Sequence, residues 1–191
     1  DMIRLIQCYD EVLNILSAKF VKGVVGADEK LGDGIPQVAI IGRSNVGKSS
    51  LINCITKQPG LAITSSQPGR TQQINFFLIN KSLYLVDLPG YGFAKASKVE
   101  RQKIQKLIGW YLFESACVQK MVIIVVDANV GLTDTDLEMI DMLEERGKNI
   151  VVGANKVDKL KRSQISAEIK KIQDAVEVHQ VIPFSSKQKT G

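Results

Sequence analysis

The stretch VAIIGRSNVGKSSLIN, residues 38–53, decides the fold. Its opening run, Val38-Ala39-Ile40-Ile41, has the length and apolar character of a buried strand. Gly42 to Ser49 then matches the spacing GxxxxGK[ST]. Leu51, Ile52 and Ile55 recur at helical spacing, which predicts a helix starting near Gly47. A strand, a glycine loop and a helix in this order make a cradle for phosphate. The glycines let main-chain N–H groups converge on phosphate oxygens, and the helix N-terminus adds positive dipole character.

The loop residues Gly42, Arg43, Ser44, Asn45, Val46 and Gly47 are thus candidates to wrap a nucleotide's phosphates, with Ser50 close behind. Lys48 is expected to reach the β- and γ-phosphates and to act in catalysis, and the Ser49 hydroxyl to bind Mg²⁺.

Outward from this stretch, strands and helices alternate. Ile74 to Ile79 and Leu83 to Val86 read as two strands, with an antiparallel hairpin around Asn80-Lys81. Residues 98–114, 134–146 and 164–176 read as helices. Met121 to Val126, Ile150 to Ala154 and Val181 to Phe184 read as strands. This alternation predicts an α/β domain in three layers, a mostly parallel six-stranded sheet with one antiparallel strand and helices on both faces. Residues 1–35 read as a separate leader, a short helix or docked arm and then a loop, ahead of a nucleotide-binding domain over 36–191. Residues 57–71 are polar and rich in Gly and Pro, and read as a long loop.

Three further motifs fall at predicted strand ends. Asp87-Leu88-Pro89-Gly90 puts a carboxylate where it serves Mg²⁺ and a glycine N–H where it meets a γ-phosphate. Asn155-Lys156-Val157-Asp158 names the base. Guanine offers adjacent N1–H and N2–H donors to the Asp158 carboxylate, and adenine lacks that pair. Sites built on such bonds discriminate by roughly 10⁴ or more. Asn155 is expected at the other edge of the base and the Lys156 stem over its face. Ser185-Ser186-Lys187, after Phe184, offers a backbone N–H to guanine O6. Each motif alone has a bland reading as a turn. Four of them in one order, at the sheet edge where α/β folds bind ligands, point to GTP or GDP.

The chain has 191 residues and a net charge of +5, which suits one domain and an anionic partner. Its three cysteines, Cys8, Cys54 and Cys117, are scattered without CxxC spacing, against a disulfide framework or zinc site. No run of about 18 apolar residues occurs, so no membrane span is predicted. The start, Asp1-Met2-Ile3-Arg4, lacks the pattern of a secretory signal, and the cytoplasm is the expected location.

With GRSNVGKSSLIN (Gly42 to Asn53), PGRTQ (Pro68 to Gln72), DLPGYGFAK (Asp87 to Lys95) and NKVDKL (Asn155 to Leu160), the chain resembles the EngB (YihA/YsxC) family of P-loop GTPases. The resemblance runs from roughly Phe20 to the end. It implies that Thr71 binds Mg²⁺ and takes part in catalysis with Gly90. It also implies that Gly69, Arg70 and Thr71 contact nucleotide, and that residues 57–72 and 88–97 are switch loops. It implies slow GTP hydrolysis by a monomer that helps assemble the large ribosomal subunit, through rRNA and ribosomal proteins, and is needed for septation. A GTP-dependent ribosome-binding module with negligible turnover is the alternative. In related GTPases an Asn at the position of Asn45 helps hold K⁺; here it holds that ion or only caps the loop. The family's final helix is expected after Gly191, which predicts an uncovered flank of the sheet.

Tyr91 stands where many small GTPases carry the Gln that orients water, and a phenol cannot replace that amide. Lys159, Lys161 and Arg162 form a basic cluster beside the base-reading loop, and Lys103 and Lys106 are a weaker one. His179, the single histidine, has the bland reading of a strand-edge residue.

Overall fold

The computed structural model describes residues 14–26, 33–64, 73–92 and 97–191. Its strands are β1 (Ala18–Val24), β2 (Gln37–Ile41), β3 (Ile74–Ile79), β4 (Leu83–Asp87), β5 (Gln119–Asp127), β6 (Ile150–Asn155) and β7 (Gln180–Pro183). Its helices are α1 (Lys48–Thr56), α2 (Lys98–Gly109), α3 (Asp134–Glu145) and α4 (Arg162–Val176). The strands form one sheet in the order β1-β3-β4-β2-β5-β6-β7. β3 is antiparallel to both neighbours, and every other pairing is parallel. The antiparallel strand is therefore β3, as the hairpin predicts.

Alternation along the strands explains the three layers. Ala39 and Ile41 of β2, with Val86, Ile124 and Val126, face Ile104 and Leu107 of α2, Ile140 of α3 and Ile172 of α4. Val38 and Ile40, with Leu85, Ile123 and Val125, face Leu51, Ile52 and Ile55 of α1. Past α2 the chain makes a wider turn over Trp110–Glu114, where Ser115 N donates to Trp110 O at 2.8 Å, and both Tyr111 and Leu112 stay buried.

The strand count is corrected. The sheet has seven strands, not six, because Ala18–Val24 inside the supposed arm pairs with β3. That strand hides in the sequence because lysines and Gly23 interrupt its apolar alternation and most of it is not deeply buried. Residues 14–24 are thus part of the domain's sheet region, with Asn80 Oδ1 accepting from the main-chain N–H groups of Leu16 and Ser17. Met121, Val151 and Ile182, on the α1 side, are all buried.

Asn80 and Lys81 both have positive φ, 47° and 59°, the form of a two-residue turn whose twist matches the strands it joins. The strand order reverses at β2: chain that leaves it returns first as β4 on one side, then as β5 on the other. The crevice at such a point, beyond the carboxyl ends of the strands, is where ligands bind in open α/β sheets.

Candidate functional site

The loop after β2 curls over that crevice. Asn45 has φ 66°, a left-handed conformation that Asn tolerates better than most residues. Gly47 has φ 104°, and a Cβ there would lie 2.2 Å from Asn155 Nδ2. Only glycine lets the two segments approach so closely. The Lys48 ammonium is buried and donates to Gly42 O at 3.0 Å and Arg43 O at 3.1 Å.

Ser49 Oγ, in the first turn of α1, donates to Asp87 Oδ2 at 2.7 Å. The other oxygen, Asp87 Oδ1, is buried with no hydrogen-bond partner among the described residues. Burial raises the Asp87 pKa, opposed by the Lys48 charge and the Ser49 bond. Burial lowers the Lys48 pKa, opposed by Asp87. The site thus holds an ammonium and a carboxylate that the fold alone compensates incompletely.

Asn155, at the end of β6 and 1% exposed, ties three segments together. Its Nδ2 donates to Val46 O at 2.8 Å. Its Oδ1 accepts from Ser186 N at 3.1 Å, from Ser186 Oγ at 3.2 Å and from Lys156 N at 2.8 Å. Both ends of the amide are engaged by protein, so Asn155 is a strut between loops. Lys156 Nζ crosses to Asn45 O at 2.6 Å and pairs with Asp127 Oδ2 at 2.8 Å. The Asp158 carboxylate accepts the Ser185 hydroxyl, and Ser185 is fully buried. Phe184 is also buried, and its carbonyl accepts from Val157 N at 3.4 Å. Lys187 is exposed.

Leu88 and Pro89 are buried behind Asp87, and Gly90 lies against the phosphate loop. The Arg43 guanidinium turns away from the loop interior. Its Nε lies 3.0 Å from Asp136 Oδ2 and its other end donates to Gly131 O at 3.3 Å. Arg43 thereby leaves only its main chain for a phosphate. Tyr91 is buried and its hydroxyl donates to Asp136 Oδ1 at 2.8 Å. Gly69, Arg70 and Thr71 lie outside the described residues, as does the rest of the predicted loop from residue 65 on.

Two residues at this edge escape sequence reasoning. Asp127 closes β5 directly opposite Asn155 in the parallel ladder, and its strand-end position was the available signal. Asp136 sits three residues after Thr133, a helix-capping spacing that conceals its second set of contacts.

The model of the 50S ribosome-binding GTPase family matches residues 37–156. A probable GTP-binding protein EngB of Lachnospira eligens is 45% identical over 172 residues, covering 88% of this chain and 81% of that one. The chain belongs to the EngB family of GTP-binding proteins. An EngB relative from Clostridium perfringens is 41% identical over 182 residues, 94% of this chain and 92% of its own. Among solved structures, a probable GTP-binding protein engB superposes with TM-score 0.65 at 27% identity, covering 80% of this chain and 90% of that one. NFeoB from S. thermophilus, bound to GDP·AlF₄⁻ and K⁺, gives 0.62 at 25% identity over 82% of this chain and 58% of its own. The protein is a GTPase of the P-loop fold.

Proposed function

We propose that this GTPase uses the crevice beyond β2 to bind GTP or GDP with Mg²⁺ and acts as a slow switch on the large ribosomal subunit or its precursor. The observation that carries the metal reading is the buried, unpartnered Asp87 Oδ1 beside Ser49 Oγ. A bare carboxylate oxygen is costly to bury, and a dication held by Ser49, Asp87 and Thr71 removes that cost. When bound, Mg²⁺ neutralises charge on the β- and γ-phosphate oxygens.

The chain's own groups do the rest. The loop amides and Lys48 hold the phosphates and stabilise the charge that develops as water attacks the γ-phosphate. Asp158, oriented by Ser185, accepts the guanine N–H pair. The Gly90 N–H meets the γ-phosphate, so hydrolysis releases that contact. Tyr91 does not face water: its hydroxyl is bound to Asp136. Unassisted turnover is accordingly expected near or below the ~10⁻⁴ s⁻¹ scale of GTPases without a partner. A single-turnover rate near ~1 s⁻¹ without partner would overturn that expectation.

The ribosomal reading rests on the matching family's description as ribosome-binding. The net charge of +5 and the exposed Lys159, Lys161 and Arg162 beside the base-reading loop support an RNA partner, and the exposed Lys103 and Lys106 add to it. A role in septation, a cytoplasmic location and a monomeric state accompany the proposal. K⁺ beside the phosphates, held by the Asn45 side-chain carbonyl, is the finer proposal suggested by the K⁺-bound NFeoB. Equal hydrolysis in K⁺ and Na⁺ would remove it. Co-sedimentation with ribosomal subunits in GDP and in a GTP analogue, with hydrolysis rates on the same samples, tests the main reading. Nucleotide-independent or absent binding would refute it.

A further inference from the structure

Asp136, in the first turn of α3, is completely buried and gathers hydrogen bonds or an ion pair from three residues. Thr133 N and Thr133 Oγ1 donate to its Oδ2 at 3.0 and 2.8 Å. These bonds belong to an ordinary capping box, which works equally well on a surface. The remaining contacts have no capping role. Tyr91 Oη donates to Oδ1 at 2.8 Å, and Arg43 Nε pairs with Oδ2 at 3.0 Å. One of these residues comes from the phosphate loop and the other from the loop after β4.

The main chains of the same two residues meet. Arg43 and Tyr91 form a parallel bridge, and Ser44 N donates to Tyr91 O at 3.1 Å. Between them Gly90 comes so close that a Cβ would lie 2.8 Å from Ser44 N and from Ser44 Cα. Burying a carboxylate is costly, and a cap alone does not require it. Its burial here places one anion where it grips both loops of the site at once.

We infer that Asp136 is a positioning residue for GTP hydrolysis: by holding Tyr91 and Arg43 together, it sets the Gly90 N–H against the phosphate loop. The inference rests on the proposed contact between Gly90 and a γ-phosphate. GDP has no γ-phosphate, so Asp136 matters for GTP and not for GDP. A residue that merely stabilised the fold would affect both nucleotides alike.

The test compares three variants with the wild-type chain, with Mg²⁺ present. Asp136→Asn turns an amide N–H₂ toward existing donors. It is expected to weaken binding of a non-hydrolysable GTP analogue about 10-fold or more, as loss of a charge-assisted hydrogen bond does. Single-turnover hydrolysis falls comparably, while GDP affinity stays within about 2-fold. Tyr91→Phe keeps the ring and removes one donor, so it reproduces part of this loss and adds little in the Asp136→Asn background. It also serves if Asp136→Asn does not fold. Thr133→Ala removes the cap hydroxyl alone; it lowers the melting temperature and leaves the GTP-to-GDP affinity ratio unchanged. Equal loss for both nucleotides, an unchanged ratio in Asp136→Asn and Tyr91→Phe, or a shift in Thr133→Ala matching theirs would overturn the inference. Failure of the wild-type chain to bind the GTP analogue would instead overturn the reading beneath it.

Discussion

Asn155→Ala removes the strut that joins the phosphate loop, the base-reading loop and the loop after β7. The substitution strips a donor from Val46 O and an acceptor from Ser186 N. Each buried polar group left without its partner costs about 1–3 kcal/mol, so a total of about 2–6 kcal/mol is expected. Domains are stable by about 5–15 kcal/mol, so a domain in the middle of that range still folds, with reduced stability. Much of the loss falls on the site, because binding must then order loops that Asn155 otherwise pre-orders. If half of the loss, about 1–3 kcal/mol, falls on binding, then at about 1.4 kcal/mol per decade GDP affinity drops by roughly 5- to 100-fold. Urea melts of the nucleotide-free protein measure the first quantity. Titration of a fluorescent GDP analogue, followed by displacement with GDP, measures the second. Ser186→Ala removes only the weaker hydroxyl contact at 3.2 Å and keeps the main-chain bond, so it is expected to remain within a few-fold of wild type. An Asn155→Ala protein with stability within about 0.5 kcal/mol and GDP affinity within about 3-fold would refute the strut.

Gly47→Ala drives a Cβ to 2.2 Å from Asn155 Nδ2 at φ 104°, so it should abolish tight GDP binding and lower the melting temperature, checked by the same titration and a thermal scan. Asp158→Asn replaces an acceptor with a donor. It should lose roughly 10² or more in GTP affinity and favour a xanthine nucleotide, whose 2-position carries an acceptor, in a competition assay. Burial first, with Asp136 second, holds the Tyr91 phenol well above its ordinary value, and burial also raises Tyr111 and Tyr84. A raised tyrosine contributes stability that is present below the ordinary phenol value of 10.0 and is lost as pH climbs through the folded values. Ultraviolet titration should show three of the chain's four tyrosines resisting ionisation past pH ~10, with one fewer in Tyr91→Phe. A single uniform step near that value would contradict the burial.

The parts of the site that come from one unbroken stretch are legible in the sequence. Residues 38–53 carry strand, loop and helix together, and their spacing alone places Lys48 and Ser49. The hairpin at Asn80-Lys81 and the strand ends at Asp87 and Asn155 follow from equally local signals. What is not legible depends on distant partners. The strut role of Asn155 is hidden because nothing near it in sequence shows that Val46, 109 positions earlier, takes its amide. Asp136 reads as a helix cap because its bond to Tyr91 spans 45 positions. β1 is missed because an edge strand needs little apolar surface and its identity lies in backbone pairing with β3.

That outermost strand has a mechanical consequence. With β1 on one side and β4 on the other, β3 belongs to two ladders at once and can slide or peel away only by breaking both. Any shift of β3 within the sheet therefore costs backbone hydrogen bonds on both of its edges at once.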